Sequence, residues 1–281
     1  MSWWQRIPEH IDPIALSFGV FSLSWYGIAF LCGAVFSLLF LWKALCRSVP
    51  ALLSSGEFLD FSLYLLAGTI LGARLGYVLF YNVAFFAAHP IAIVSPFSIE
   101  TGAWTGIAGM SAHGGILGMT SAVILFSWRY GKSVWVLLDS VAWSLPLAIF
   151  FGRIGNFLAG ELFGRVTSVP WGMVFPHATD GLLHHPSQLY EAVGEGLLLW
   201  CVLTLLSKRL RSPGQLFVWA LGAYGGIRFL LEYFRAPDSQ IGFIAGVFTL
   251  GQLLSLCVLF ASGVLLLWIR SGKNAILPRT E

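Results

Sequence analysis

Between residues 18 and 269 the chain offers seven largely apolar segments, near 18–42, 58–81, 112–129, 134–152, 190–207, 215–233 and 243–269. Each is close to the length a helix needs to cross a bilayer, about 20 residues for a hydrocarbon core near 30 Å. The second, third, fourth and sixth are interrupted by glycine or a charge, which leaves their ends loose by several residues. Only 10% of the chain is charged and 57% is hydrophobic, whereas a soluble domain carries about 25% charged residues. The pattern predicts an all-α polytopic membrane protein with about seven transmembrane helices.

Charge placement predicts the orientation. Lys43 and Arg47 follow the first segment, Arg129 and Lys132 separate the third from the fourth, and Lys208, Arg209 and Arg211 separate the fifth from the sixth. Arg270, Lys273 and Arg279 follow the seventh, so ten of the sixteen basic residues gather on one side. The positive-inside rule makes that side cytoplasmic, with the N-terminus outside and the C-terminus inside. The formal charge of +3 is then a topology signal and not a nucleic-acid footprint. Residues 1–13 lack a basic stretch leading into a short apolar core, so the first segment is expected to insert and stay, uncleaved. Trp3, Trp4 and Trp25 suit an interfacial belt. Cys32, Cys46, Cys201 and Cys257 show neither metal-ligand nor disulfide spacing and read as small apolar residues.

The opposite, outer side holds the polar chemistry. All six histidines fall there, and two long connections, roughly 82–111 and 154–189, have room for structure outside the bilayer. The second is expected to form a small strand-and-turn extracytoplasmic head. The stretch from Gly152 to Arg165 carries Arg153, Asn156, Glu161 and Arg165 among four glycines. Ionisable groups at a membrane edge are costly and mark a functional site by default. Arg153 and Asn156, three apart, share a helical face; Glu161 and Arg165, four apart, are spaced for an ion pair. A network that merely closes a helix end needs fewer donors than this.

Other motifs are weaker alone. Tyr224, Arg228 and Glu232 stand at i, i+4 and i+8 on the sixth segment and form one polar stripe, with Glu232 the nearest partner for the arginine; a structural salt bridge is the plain alternative. Arg74, within Gly72-Ala73-Arg74-Leu75-Gly76-Tyr77, lacks an obvious local partner. His113-Gly114-Gly115 puts an uncrowded imidazole at an outer mouth, where it acts as an interfacial cap or exchanges a proton near neutral pH. His185-Pro186-Ser187-Gln188-Leu189-Tyr190-Glu191 is good helix-start chemistry, with proline early and glutamate in the first turns. Tyr26 reads as a belt residue or as a hydroxyl directed into a cavity.

Taken in order, Tyr26, GARLGYVLFYN at 72–82, His113-Gly-Gly, GRIGNFLAGELFGR at 152–165, HPSQLYE at 185–191 and the stripe at 224–232 resemble the prolipoprotein diacylglyceryl transferase family over most of the chain. One departure is Ala159, where many members carry asparagine. The resemblance implies an enzyme of the bacterial cytoplasmic (inner) membrane whose site opens to the outer leaflet. It would move the sn-1,2-diacylglyceryl group of phosphatidylglycerol onto the lipobox cysteine of a preprolipoprotein signal peptide, forming a thioether and releasing glycerol phosphate. A cysteine thiol with a pKa of about 8.5 needs a base or a positive field to react at neutral pH. On that reading His113 is the base or proton relay, and Arg153 and Arg228 hold the phosphate with planar paired donors. Asn156 and Tyr26 hydrogen-bond the headgroup, and Tyr224 belongs to the same substrate-binding stripe. Glu161 and Glu232 orient the arginines, and Gly160 and Gly164 make room for substrate. No cofactor or metal is implied. A transporter of anionic lipids, which also uses buried arginines in glycine-broken spans, is the rival; the gathering of polar groups on one side and the lack of an evident inverted repeat count against it.

Overall fold

The computed structural model describes residues 2–18, 21–47, 51–80, 83–95, 109–210, 212–236, 243–244 and 247–271, with the side chains of Phe18, Phe21, Phe80, Ala112 and His113 outside that set. Arg211, Lys273 and Arg279 of the charge argument lie outside it too, as does most of the connection at 82–111 after residue 95. The chain divides into two compact units, Trp42–Leu138 and Met1–Leu41 with Asp139–Glu281.

Among the described residues the longer helices are α1 (Trp25–Cys46), α2 (Ser55–Phe80), α3 (Ala112–Tyr130), α4 (Val134–Leu158), α5 (Ser187–Ser207), α6 (Gln215–Leu231) and α7 (Leu250–Arg270). Among the described residues five helices, α1, α2, α4, α5 and α7, are long and apolar enough to cross a membrane, and α6 is a shorter apolar helix of 17 residues. This is a mostly helical membrane protein. The first helix starts at Trp25, not near residue 18 as its apolar content suggests, because the alternating run before it pairs as a hairpin of β1 (Ile14–Phe18) and β2 (Phe21–Ser24). Alternation at period two is strand chemistry even beside a helix-forming segment. α4 carries Pro146 inside it and runs on to Leu158, past the expected end at 152.

Within Trp42–Leu138, α2 and α3 touch backbone to backbone. A Cβ on Gly72 would stand 2.6 Å from the Gly118 Cα, and one on Gly76 2.7 Å from the Gly114 Cα. Small residues at these positions let two helices approach where lipid gives no hydrophobic drive for association. α3 begins where Ser111 Oγ accepts the Gly114 N–H at 3.3 Å and ends at Gly131 in the left-handed region. α2 begins on a reciprocal pair, Glu57 N–H to Ser54 Oγ at 3.2 Å and Ser54 N–H to Glu57 Oε2 at 2.8 Å, and Lys132 closes on Glu57 at 2.8 Å. Arg74, buried near the other end of α2, finds its partners in backbone carbonyls of the following connection. Its Nε donates to Ile93 O at 2.8 Å and its Nη1 to Gly109 O at 3.1 Å, and its guanidinium lies 5.0 Å from the Phe86 ring centroid.

In the other unit, α5 and α6 share a core of Leu199, Leu203, Leu216 and Ala220, with Tyr224 and Ile227 packed against it. α6 is capped from α4: Asp139 accepts the Gly214 and Phe217 N–H groups, each at 2.7 Å, meeting donors that a helix start otherwise leaves orphaned. α6 and α7 meet at Gly222 and Gly225, and Ser262 Oγ donates to Val218 O at 2.8 Å. α7 opens on a capping box of Thr249 and Gln252, just after the two-residue strands β3 (Phe243–Ile244) and β4 (Phe248–Thr249).

Residues 159–186 form no strand of their own. Isolated bridges, Val166 to His184 and Met173 to His184, replace the expected strands. Prolines and glycines break each run before it can extend, and packing fixes the rest: Phe175 is buried and stacks on Phe163 at 5.2 Å. The N-terminal turns strap onto this connection through Val174 N–H to Gln5 O at 2.8 Å.

Candidate active site

A close approach and a widened turn assemble the site. Gly196 lets α5 press on α4, since a Cβ there would stand 2.6 Å from Phe150 Cβ. In the same stretch α5 widens into a π-helical segment, Ala192–Leu198, an irregularity frequent at functional sites. Glu191 and Glu195 flank and enter this wide turn, and both face the arginines of neighbouring helices.

Arg153 of α4 meets Glu191 Oε2 through Nη1 at 3.0 Å and Glu195 Oε2 through Nη2 at 3.4 Å. Arg228 of α6 meets Glu191 Oε1 at 2.8 Å and Glu195 Oε1 at 3.1 Å through Nη1, and Glu232 Oε2 at 2.7 Å through Nη2. Arg235 adds a third guanidinium at 3.3 Å from Glu191 Oε1. Each of two carboxylates thus bridges the same two arginines, one oxygen to each. The Glu191 and Glu195 side chains are 0% exposed, whereas those of Arg153 and Arg228 keep 19% and 14%. A ligand arriving from the accessible side therefore meets guanidinium edges and not carboxylates. Thr249 Oγ1 donates to Glu232 Oε1 at 3.0 Å, tying the start of α7 to the network.

Around this core Asn156 is buried one turn beyond Arg153 on α4, and among the described residues its amide makes no hydrogen bond. Tyr26, on the first turn of α1, lies against Gly155, where a Cβ would stand 3.1 Å from its ring. The chain leaving α4 passes through left-handed backbone at Gly160 (φ 69°) and Leu162 (φ 56°) and docks on the start of α5. Ser187 Oγ donates to Leu162 O at 3.1 Å and Gln188 Nε2 to Glu161 O at 2.6 Å. The two sequence motifs, 152–165 and 185–191, are thus one structural unit.

Nearby, Trp171 Nε1 donates to Tyr190 Oη at 2.6 Å, and that hydroxyl lies 3.2 Å from His185 Nδ1. Burial pushes the His185 imidazole below its ordinary range. His184 bridges Gly164 O at 2.8 Å and Asp180 Oδ1 at 3.1 Å. The Leu182 N–H and then His184 hold the Asp180 carboxyl below the usual carboxylate range.

Some expectations are corrected. Glu161 does not pair with Arg165: helix α4 has ended at Leu158, so four-residue spacing no longer puts them on one face. Among the described residues Glu161 is exposed and makes no ion pair, while Arg165 Nε donates to Arg235 O at 2.8 Å and its guanidinium lies over Phe243. Gly164 offers no vacant room either, because Phe234 O and His185 fill the space a Cβ would take; its role is close backbone packing. Likewise Gly160 faces Pro176, where a Cβ would stand 3.0 Å away. Tyr224 packs in the α5–α6 core beside the network. His113 stands in the first turn of α3, and its side chain lies outside the described residues. Glu195 and Arg235 carry no expectation from the sequence, and Glu191 only that of a helix start. The signal was there: two glutamates four apart inside an apolar segment need cations from other helices.

The fold and site together define a helical membrane protein with a buried arginine–glutamate cluster that presents cationic edges. A family profile described as "Prolipoprotein diacylglyceryl transferase" matches residues 13–269. Similar proteins carry the name phosphatidylglycerol–prolipoprotein diacylglyceryl transferase. One from Wolinella succinogenes is 42% identical over 267 residues, covering 94% of this chain and 95% of its own. One from Pseudoalteromonas translucida is 43% identical over 259 residues, covering 92% of each. A third, from Rhodospirillum rubrum, is 43% identical over 272 residues, covering 95% and 96%. The chain belongs to the prolipoprotein diacylglyceryl transferase family.

Proposed function

We propose that this protein transfers the diacylglyceryl group of phosphatidylglycerol to the lipobox cysteine of a preprolipoprotein, the first step of bacterial lipoprotein maturation. The observation that carries the reading is the pair Arg153 and Arg228, bridged from behind by Glu191 and Glu195 and open toward a ligand. Planar guanidinium groups bind two phosphate oxygens at once, and donors already held in place where charge develops lower a barrier most. Family membership weighs against the transporter alternative.

In the transfer a C–S bond forms between the cysteine sulfur and the glycerol carbon that carries the phosphate ester. The C–O bond breaks, its electron pair leaves on the phosphate oxygen, and glycerol phosphate departs. The thiol proton passes to a base or relay, a role given to His113. Arg153 and Arg228 hold the phosphate and take up its growing charge; Asn156, whose buried amide is unengaged among the described residues, and Tyr26 hydrogen-bond the headgroup. Glu232 orients Arg228. The short basic connectors favour seven spans, with the N-terminus outside, the C-terminus cytoplasmic, and an extracytoplasmic head near 154–189 beside a site open to the outer leaflet of the inner membrane.

The test is a detergent assay of purified protein with headgroup-labelled phosphatidylglycerol and a lipobox peptide, against a Cys→Ser peptide. Label release that requires the thiol is the expected result. Arg153→Ala and Arg228→Ala should each lower the rate at least about a hundredfold, near 3 kcal/mol of barrier. Release without the thiol, or undiminished turnover by either variant, removes the corresponding part of the mechanism.

A further inference from the structure

A purely cationic site would suit an anionic phospholipid poorly over a full cycle. The headgroup phosphodiester carries one negative charge; the phosphomonoester that leaves carries about −1.5 to −2 near neutral pH. Bare guanidinium groups would hold that product more tightly than the substrate. Among the described residues the ion pairs set three arginines, Arg153, Arg228 and Arg235, against three glutamates, Glu191, Glu195 and Glu232, equal numbers of opposite charges.

We propose that Glu191 and Glu195 are positioning residues that set both the spacing of Arg153 and Arg228 and the net charge of the site, so that the phosphate product is released after transfer. This rests on the transferase reading above. Three features carry it. Both carboxylates bridge the same two guanidinium groups, at 2.8 to 3.4 Å, so the arginines cannot spread or close without breaking a contact. Both side chains are wholly covered, so they neutralise the arginines without repelling a phosphate directly. Glu191 borders and Glu195 lies on the wide turn of α5, fixed against α4 by the close approach at Gly196 and against α6 at Gly194, where a Cβ would stand 3.0 Å from Leu231. Among the described residues Arg153 directs only its two Nη groups at carboxylates, and an arginine carries five N–H donors. Its Nε and remaining Nη hydrogens are left for a ligand. The arrangement neutralises charge and preserves donors at once.

The test uses full-length detergent-purified protein, with binding of glycerol phosphate read by equilibrium dialysis alongside the steady-state assay. Glu195→Gln keeps the shape and removes one negative charge. It should bind glycerol phosphate about tenfold or more tightly than the wild type, with kcat lowered and KM for phosphatidylglycerol unchanged or lowered. Glu195→Asp, which restores the charge, should return product affinity to within a few fold of the wild type. The double variant Glu195→Gln/Arg235→Gln restores neutrality and should bring product affinity back as well; it also covers the case in which the single variant does not fold. A Glu195→Gln protein whose product affinity stays within twofold of the wild type, or a double variant that binds product as tightly as the single, overturns the proposal. A wild-type protein that releases no glycerol phosphate in the thiol-dependent assay overturns the transferase reading instead, and the dialysis arm still reports how the carboxylates set anion affinity.

Discussion

A charged side chain inside a membrane protein is tolerated when its partners are close and complete, and Arg228 touches three carboxylates. Removing one member of such a buried network costs about 3–5 kcal/mol because its partners stay behind uncompensated. Outside the helices the titrating residues make a second residue-scale argument. Burial lowers the His185 value in the folded state, so the unfolded chain takes up the proton first as pH falls through about 6.5. Folding stability therefore drops below that pH, and in the protonated ring Nδ1, 3.2 Å from the Tyr190 hydroxyl, is a donor. Asp180 acts in the same direction further down: its lowered value stabilises the fold above the ordinary aspartate range and is lost as pH falls through the folded value. The protection factors of the amides of residues 159–186, measured exchange divided into the intrinsic base-catalysed rate at each pH, should fall between pH 7.5 and 5.5, and His185→Asn should abolish most of that change. Protection factors independent of pH in this range would rule the histidine out as the sensor. Single residues were unevenly legible in the sequence. Arg228 with Glu232 could be read from helical spacing because both stay on or beside one helix. Glu161 with Arg165 could not, because a left-handed turn at Leu162 intervenes. Glu195 had no local partner to betray it, since both its arginines come from other helices.

At the scale of elements, glycines place the helices that carry the charges. α5 delivers Glu191 and Glu195 only because Gly196 lets it lie against the Phe150 backbone of α4. Gly196→Ala should push the two helices apart and move Glu195 off Arg153, at a cost approaching a hundredfold in kcat/KM, since a shift of about 1 Å in a site has that scale of effect. Gly263→Ala on α7, where a Cβ would meet nothing within 4 Å, should leave both rate and thermal stability unchanged. Equal losses in the two variants would point to impaired insertion and not to packing, since Gly→Ala by itself favours a helix. Helix identity was plain from apolar length alone, and the ends of α2, α3 and α6 fell within a few residues of expectation. The π-helical segment of α5 was not legible, because its cause is tertiary: nothing in Ala192–Leu198 by itself prefers a wider turn. The hairpin before α1 was open to a period-two reading, but the apolar content of β2 merged it with the helix that follows.

For the whole molecule, the distribution of lysine and arginine and the location of the site make one argument. On the proposed reading a base, an anionic headgroup and a secreted peptide meet on one face of the membrane, and the positive-inside rule would put the short basic connectors on the other. The connection 159–186 carries Asp180 exposed at a turn, and Lys208 follows the far end of α5. In a background with the four native cysteines replaced, Asp180→Cys should react with a membrane-impermeant maleimide in intact cells. Lys208→Cys should react only after the membrane is opened. α5 separates the two positions, with 21 residues between Ser187 and Ser207, enough at 1.5 Å per residue to span about 30 Å. Labelling of both from outside would mean that α5 does not cross, and the site would then lose its assigned leaflet. Reversed labelling would keep the span but turn the arginines toward the cytoplasm, where the preprolipoprotein cysteine would have to be modified before export, and the charge rule would have failed for this chain.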